Sequence, residues 1–526
     1  MSNSAPLGLS IFGKFKRDFL NIDPNNTRQL TKVTLCFIAF NFLLWTVLAI
    51  VSQSAPHKDS IEELFWMQSF DWGYPKFGPI STWWVYGWVS LFGRSIWVTY
   101  VAGQINVALM LLVVWRICLL MMSPARALMA VVLTSLVAYH SINGIQVSSN
   151  LLQLFPTALL LWTLLLAVRH LDWWRWVLVG VVGTVCLLTK YSAGIWFAVM
   201  GIWVLMDTRM HSWRAMRGVL IAIVAALITL IPHVEWLVRE NAPTIRYMQY
   251  QVSGEVNHMA QLGKFILSQL GKIAPLIIAL LILKITLKPA AQSAMVSATA
   301  QSAGAVYTNQ EMRFISFAAI GPMLLTSLLG TAFISLHANW ATAYFVFLGV
   351  YVLRWVPQID TSRTLNQVLR VGLLTNILIA CGTALYFGLI ADLMSKTPRE
   401  NFPAKQLGVK FDQVWDAEIK GPMKVVIGET WIAGVASVAS RYQPLVVPYG
   451  DYASAAAVKP EMIQRCGALI VMDASETKLN PNMQAFMARA TIKGSFSIPW
   501  NRFKPKPTYD VNWGIIEPET KGACAQ

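Results

Sequence analysis

The chain has 526 residues, of which 56% are hydrophobic and 13% are charged, and its formal net charge is +16. Soluble globular domains carry about 25% charged residues, so this composition excludes an ordinary soluble enzyme and predicts a polytopic membrane protein. The basic residues lie mostly between alternate apolar segments, which indicates membrane orientation rather than binding of nucleic acid.

The first 32 residues are polar and basic, and they lack the pattern of a cleavable signal sequence. After them, apolar stretches of about 20 residues, which can cross a bilayer as helices, recur as far as residue 390. We predict eleven such spans: 33–51, 95–122, 125–141, 151–168, 173–189, 191–207, 215–232, 261–286, 312–335, 341–356 and 367–390.

Charge in the connections alternates along the chain. Basic residues such as Arg116, Arg169 and Arg354 fall in every second connection, together with the basic N-terminus. The positive-inside rule places these connections in the cytoplasm and the acidic segment 52–80 on the outer side of the membrane. Eleven spans put the C-terminus on the outer side as well, so we predict a cytoplasmic segment 1–32, a transmembrane domain 33–394 and an outer domain 395–526.

The C-terminal region has the composition of a soluble domain. KVVIG (424–428), PLVVP (444–448) and ALIVM (468–472) have the pattern of short buried strands, and helical patterns lie between them. This alternation predicts a small α/β domain with a partly parallel sheet. Cys466 and Cys524 lie in this region and could pair outside the cytoplasm.

The segment 52–80 holds carboxylates and a lysine among aromatic rings. Asp59 precedes a predicted helix, and Glu62 and Glu63 follow it by three and four positions on the same side. A carboxylate beside lipid can have its pKa raised and act as a base; the simpler alternative is a solvated first helical turn. Residues 79–92 are rich in Trp, which predicts a helix in the membrane interface.

Cations occur at three further places. Lys190 interrupts an apolar stretch, where a charge is costly and suggests function, although a lysine there can also snorkel to the surface. Lys76 lies in the acidic segment, and either lysine could hold a phosphate. The loop 233–260 adds donors for sugar hydroxyls and phosphate, and His337 begins another outer cluster; single members of such loops are more often ordinary surface residues.

The motifs in these segments resemble the family 39-type glycosyltransferases of the GT-C fold, relatives of protein O-mannosyltransferases and of the lipid A aminoarabinose transferase. LLTKYSAG (187–194) and IPHVEWL (231–237) are similar to later segments of that family. Ser60 and Gly78 depart from its second acid and first proline, so either Glu62 or Glu63 could supply the missing acid. The residues that match the first motif are Asp59, Gln68, Trp72, Gly73, Tyr74 and Pro79.

The resemblance implies an all-α membrane protein of the GT-C type at the bacterial inner membrane, with interfacial helices in its first outer loop. It implies inverting transfer of one sugar from a polyprenyl-phosphate donor to a periplasmic glycan, lipid or protein. Asp59 would be the base, and Lys190, Lys76 and Arg246 would bind the donor phosphate. The residues expected to contact sugar or acceptor are Gln68, Trp72, Tyr74, Tyr191, His233, Tyr247 and His337.

No cofactor is expected, because cations can stabilise the leaving phosphate, although a divalent metal is left open. A transporter without chemistry is the alternative from another class; it predicts charged residues at mid-membrane depth, of which the apolar spans contain almost none. A ligase or polymerase of oligosaccharide blocks would share the chemistry but need a wider acceptor groove.

Overall fold

The computed structural model describes residues 22–252, 257–287, 308–356, 362–476, 480–519 and residue 524. Most of the predicted N-terminal segment 1–32 lies outside these residues. The membrane part contains, in chain order, α1 (Thr27–Ser52), α2 (Lys58–Trp66), α3 (Ile80–Phe92), α4 (Ile96–Cys118), α5 (Pro124–Ser135), α6 (Ser149–His170), α7 (Trp173–Thr189), α8 (Ala193–Met206), α9 (Trp213–Arg239), α10 (Pro243–Val252), α11 (His258–Thr286), α12 (Asn309–Gly330) and α13 (Ser362–Leu393).

The number of spans differs from the sequence prediction. In the described part of the chain, seven helices are long and apolar enough to cross a membrane: α1, α4, α6, α9, α11, α12 and α13. Helix α5 and the segment Ala138–Ile145 make an eighth crossing if they are counted as one span, and the chain bends by 88° between them. Helices α7 and α8 are apolar but have only 17 and 14 residues. The count of eleven is therefore not confirmed.

The predicted span 341–356 is not a continuous helix. It consists of short turns, a 3-10 segment Ala338–Phe345 followed by Leu348–Val352 and Leu353–Trp355. Gly349 lies so close to α5 that an added Cβ would be 2.3 Å from the Thr134 backbone nitrogen. The segment is apolar because it is buried inside the protein, and a buried irregular run cannot be told from a helix by hydrophobicity alone.

Helices α2 and α3 lie in the connection between α1 and α4, residues 53–95, which is called the first outer loop after its predicted side. The imidazole of His57 accepts a hydrogen bond from the Asp59 N–H and so begins α2 two residues earlier than its predicted start at Ser60. Helix α3 agrees with the helix predicted at 79–92 and follows Pro79 directly. The two helices have 9 and 13 residues, and they flank the loop 67–79.

The C-terminal part is a small α/β domain, as predicted. Its sheet has the order β2 (Leu445–Pro448), β1 (Val425–Gly428), β3 (Ala468–Asp473), β5 (Thr508–Ile516) and β4 (Ile492–Pro499), in which β1 pairs in parallel with β2 and β3. The antiparallel pair β4–β5 was not predicted. The elements are α14 (Ala404–Glu418), β1 (Val425–Gly428), α15 (Thr430–Ala439), β2 (Leu445–Pro448), α16 (Pro460–Cys466), β3 (Ala468–Asp473), α17 (Pro481–Arg489), β4 (Ile492–Pro499) and β5 (Thr508–Ile516).

The C-terminal domain packs directly on α2. Ile61 of α2 and Ile432 of α15 belong to one continuous hydrophobic core, and an added Cβ at Gly434 would lie 2.1 Å from a methyl group of Ile61. The Lys58 ammonium pairs with the Glu429 carboxylate at 3.1 Å. Helix α2 is therefore held between the membrane part and the sheet domain.

Two further contacts fasten this domain. Arg94, after α3, donates a 2.6 Å hydrogen bond to the Ser437 hydroxyl. Within the domain, Cys466 and Cys524 form the disulfide that the sequence left as a possibility. The disulfide links the end of α16 to the residues that follow β5.

Gly78 offers a test of how the first outer loop is held. An added Cβ would lie 2.2 Å from the Leu188 carbonyl oxygen, so Gly78→Ala should force the loop away from α7 and cost about 1–3 kcal/mol. Thermal and denaturant unfolding in detergent would measure the loss. Gly87→Ala is the matched control, because Gly87 lies in α3 with nothing within 4 Å of its added Cβ. Equal stability of the two variants would contradict the proposed close approach.

Candidate active site

A cavity of about 490 Å³ opens between the first outer loop and the ends of α7, α8 and α12. Its polar wall comes from the first outer loop and from the turn after α7, and its other wall is mainly apolar, with Ile195, Leu329 and Ile334. The cavity therefore joins a cluster of charges to a surface that suits a hydrocarbon chain. The predicted site residues that line it are Asp59, Glu62, Lys76, Lys190, Tyr191, Tyr247 and His337.

Glu62 and Lys76 form a close ion pair in the cavity wall. The Lys76 Nζ is 2.6 Å from a Glu62 carboxylate oxygen, and the Glu62 side chain is 5% exposed. Burial raises the pKa of Glu62, and the Lys76 charge opposes that shift. The ammonium also lies 5.8 Å from the Trp66 ring and 5.7 Å from the Tyr247 ring. Ring contacts and ion pair together fix the position of this lysine.

Asp59 has a different setting. It lies in the first turn of α2, and its side chain is 40% exposed. Its ion-pair contact is with the His57 Nδ1, at 3.9 Å, which is too long for a hydrogen bond. Of the three predicted acids, Asp59 is therefore the one whose carboxylate is most open to the cavity.

Glu63 points away from the cavity into the protein. It is 1% exposed and accepts a 2.7 Å hydrogen bond from the Thr82 hydroxyl of α3. Burial raises the pKa of Glu63 to about 7, and the hydrogen bond from Thr82 only partly opposes this. Because α2 presents successive positions to different sides, Glu62 and Glu63 are separated although they are adjacent.

Lys190 lies in the turn after α7 and is 7% exposed. Its ammonium donates to the Asn150 side-chain oxygen and lies 5.4 Å from the Phe77 ring. Burial lowers the pKa of Lys190 to about 8, and the negative charge of Asp59 opposes this. Asn150 was not predicted, because one amide in an uncharged turn carries no sequence signal. Lys190 is thus a buried cation without a carboxylate bonded to it, among the described residues.

Tyr191, His233 and Trp72 form a chain of hydrogen bonds beside the cavity. The His233 Nδ1 is 2.6 Å from the Trp72 carbonyl oxygen, so this nitrogen must donate. The Nε2 of the neutral ring then accepts from the Tyr191 hydroxyl, also at 2.6 Å. Only Tyr191 reaches the cavity, and the other two hold it in place.

Two aromatic groups complete the cavity wall. Tyr247 of α10 packs edge-on against Phe77 with ring centroids 5.9 Å apart. His337 lies on the opposite side and packs 5.0 Å from Trp340. Rings at this position can pack against a sugar or against the first part of a lipid chain.

Three further predicted site residues lie outside the cavity. The Gln68 side-chain oxygen accepts from the Val446 N–H and so helps to dock the sheet domain. Tyr74 is 4% exposed, and its hydroxyl donates to the Ser69 carbonyl. Arg246 lines a separate pocket of about 110 Å³. The structure does not bring these three side chains to the main cavity.

Within the described ranges, no group of three or more His, Cys, Asp or Glu side chains is placed to hold a metal ion. What the cavity offers is an accessible carboxylate, a buried ammonium and a cation already paired with an acid. Such a set can accept a proton at one point and stabilise an anion at another.

The buried Glu63 predicts a particular pH dependence of stability. Its pKa rises from 4.5 to about 7 on folding, so the unfolded state loses this proton first and stability falls between these pH values. The loss amounts to about 3 kcal/mol above pH 7. Glu63→Gln cannot ionise, so its stability relative to the unaltered protein should increase from pH 5 to pH 8 in unfolding measurements.

The exposed Glu418 provides the control for this experiment. Glu418→Gln should show no such gain between pH 5 and pH 8. A difference between Glu63→Gln and the unaltered protein that stayed constant over this range would show that Glu63 does not titrate there.

Comparisons with known proteins show which sequences this chain resembles. The family model described as dolichyl-phosphate-mannose-protein mannosyltransferase matches residues 76–236, which include Lys76, Lys190 and His233. The lipopolysaccharide core galacturonosyltransferase RgtA of Rhizobium johnstonii is 25% identical over 518 residues, covering 94% of this chain and 99% of the relative.

Solved structures share the fold. ArnT from Cupriavidus metallidurans bound to undecaprenyl phosphate matches with a TM-score of 0.62 at 12% identity, covering 94% of this chain and 99% of that one. The apo state of the same protein matches with a TM-score of 0.57 at 13% identity, covering 92% and 98%. The chain is therefore similar in sequence to glycosyltransferases, among them RgtA and the protein mannosyltransferase family, and it shares the fold of ArnT.

Proposed function

We propose that this protein transfers one sugar from a polyprenyl-phosphate donor to a glycan on the outer side of the bacterial inner membrane. The proposal rests on one observation: the open Asp59 carboxylate and the buried Lys190 ammonium line the same cavity. The apolar wall of the cavity suits the prenyl chain of such a donor, and the open side admits a second substrate.

The reaction is a direct displacement. Asp59 accepts the proton of the attacking hydroxyl while that oxygen forms a bond to the anomeric carbon of the donor. The bond between the anomeric carbon and the phosphate oxygen breaks, and the polyprenyl phosphate leaves with the electron pair. Because the attack comes from the side opposite the phosphate, the configuration at the anomeric carbon inverts.

The Lys190 ammonium stabilises the negative charge that develops on the leaving phosphate. Its ammonium is desolvated and bonded to the neutral amide of Asn150, so its charge is not cancelled by a bonded acid. An electrostatic contact of this kind is strong where water is excluded. Lys76 contributes less, since Glu62 neutralises it at 2.6 Å.

The three acids divide their roles by environment. Asp59 is exposed to the cavity and is the proposed base. Glu62 holds Lys76, and Glu63 is buried against Thr82, so neither has a carboxylate ready to take a proton from an incoming alcohol. The proposal therefore assigns the base to Asp59, a choice that Ser60 leaves open in the motif.

The relatives suggest the substrates. ArnT was crystallised with undecaprenyl phosphate, and RgtA is named for transfer of galacturonic acid to the lipopolysaccharide core. We therefore propose undecaprenyl phosphate as the carrier and an envelope glycan of the lipopolysaccharide type as the acceptor. The N-terminus would then lie in the cytoplasm and the domain 395–526 in the periplasm.

Asp59→Asn tests the base directly. The amide keeps the shape of the side chain but cannot accept the proton, so transfer should fall by about 10²- to 10⁴-fold while expression and thermal stability are unchanged. The readout is mass spectrometry of envelope glycolipids and glycoproteins from cells with the gene, without it, and with each variant.

Asp71→Asn is the matched control, because Asp71 pairs with Arg239 outside the cavity. It should leave transfer intact. Normal sugar transfer by Asp59→Asn would remove Asp59 from the mechanism. The transporter would be favoured instead if the glycan profiles were the same with and without the gene and if the lipid carrier were redistributed across the membrane.

Lys190→Ala tests the phosphate contact. Loss of a charged hydrogen bond of about 1.5–3 kcal/mol should raise the donor KM by about 10- to 100-fold in vesicle assays. In the unaltered protein the donor KM should also rise above pH 8, where Lys190 loses its proton. Lys190→Arg, which stays charged, should lack that rise.

Lys272→Ala is the control, a partly buried lysine that is also bonded to an amide. Its ammonium is bonded to the Asn143 amide at 2.8 Å and lies over the Tyr139 ring, outside the cavity. Its donor KM should stay within about twofold of the unaltered value, since no phosphate contact is removed. An unchanged donor KM for Lys190→Ala would exclude Lys190 from the phosphate site.

A further inference from the structure

A second cavity lies behind the first, between the first outer loop and the sheet domain. Its volume is about 410 Å³. Glu62 and Lys76 line both cavities, so their ion pair forms part of the wall that separates them. The first turn of α2 also contributes to both cavities: Asp59 lines the first cavity and Lys58 lines the second.

On the side of the sheet domain, the second cavity is lined by residues at one edge of the sheet. Thr430 follows β1, and Tyr449 and Asp451 follow β2, so these residues lie at the carboxyl ends of parallel strands. Strand β1 has β2 on one side and β3 on the other, which makes this edge a topological switch point, where α/β sheets commonly bind ligands. Tyr449 has a φ of +53°, a strained conformation that is frequent at functional loops.

The lining of the second cavity is polar but nearly balanced in charge. Hydroxyl and amide groups come from Ser454, Asn480 and Asn482. Glu429 neutralises Lys58 at 3.1 Å, as Glu62 neutralises Lys76. Because both cations are paired and Asp451 adds a further carboxylate, a phosphate finds no uncompensated positive charge among the described residues that line this cavity.

Aromatic surface adds to these groups. Trp66 and Tyr449 line the cavity together with the hydroxyls and amides. Hydroxyl, amide and carboxylate groups beside aromatic side chains suit a ligand with many hydroxyl groups and an apolar ring face. A sugar ring has both properties.

The geometry points to this second cavity as the acceptor subsite, which binds a sugar unit of the acceptor glycan and directs its hydroxyl past the Glu62–Lys76 pair toward Asp59. This inference rests on the proposed function. It assigns the sheet domain a direct part in acceptor recognition, whereas the first cavity holds the lipid-linked donor. Lys76 and Glu62 would then be positioning residues between two substrates.

Asn482→Leu tests the inference by placing a branched apolar side chain in the polar wall. The assay uses the full-length protein in vesicles, a lipid extract of cells lacking the gene as donor, and O-deacylated lipopolysaccharide from the same cells as acceptor. The acceptor KM should rise at least fivefold while the donor KM and the thermal stability stay unchanged. Gln464→Leu, on the exposed side of α16, is the matched control and should change neither KM.

Ser454→Ala is a second, milder variant, whose loss of one hydroxyl should raise the acceptor KM by about 2- to 10-fold. A direct binding measurement uses Asn482→Cys and its rate of labelling by a maleimide. O-deacylated lipopolysaccharide should slow the labelling, and undecaprenyl phosphate should not.

The outcomes separate the two proposals. Transfer by the unaltered protein, combined with equal acceptor KM values in all variants and no protection of Cys at position 482, would overturn the acceptor subsite alone. Protection by undecaprenyl phosphate instead of the glycan would also overturn it. Absence of any transfer by the unaltered protein would overturn the proposed function, even if the glycan protected the cavity.

Discussion

The site depends on charged side chains that lie beside a membrane. Some of them are paired with opposite charges, and those that must react keep their charge. Burying an ion is costly unless it is paired, and this protein pairs Glu62 with Lys76 and Lys58 with Glu429. These pairs fix α2 on both sides and leave Asp59 exposed to the cavity. Lys190 is stabilised by an amide rather than an acid, so it keeps the charge that an anionic leaving group requires.

Much of the fold could be predicted because apolar length and strand–helix alternation are strong local signals. The helices Thr27–Ser52 and Ile96–Cys118 and the three parallel strands follow from them. The segment 341–356 was wrongly predicted as a span, since its hydrophobicity reflects burial within the protein. The antiparallel strands β4 and β5 were missed because β4 alternates between half-buried and exposed residues, which weakens its apolar signal.

The site was partly predictable for a similar reason. Charged residues in apolar surroundings stand out, and Asp59, Glu62, Lys76 and Lys190 do line one cavity. Gln68 and Tyr74 belong to the same motif but serve docking and local packing instead. Asn150 and Glu429 could not be found, since each contributes through a partner that is distant in sequence: 40 residues for Asn150 and 371 for Glu429.

The contact between α15 and α2 has a consequence for biosynthesis. The rear surface of the helix that bears Asp59 is covered by residues that a ribosome makes more than 360 positions later, such as Ile432. Until that part has been made and folded, α2 lacks its contact with α15 and its Lys58 lacks the Glu429 counter-ion. On the proposed function, the membrane part would therefore gain its active arrangement only after the C-terminal domain has folded.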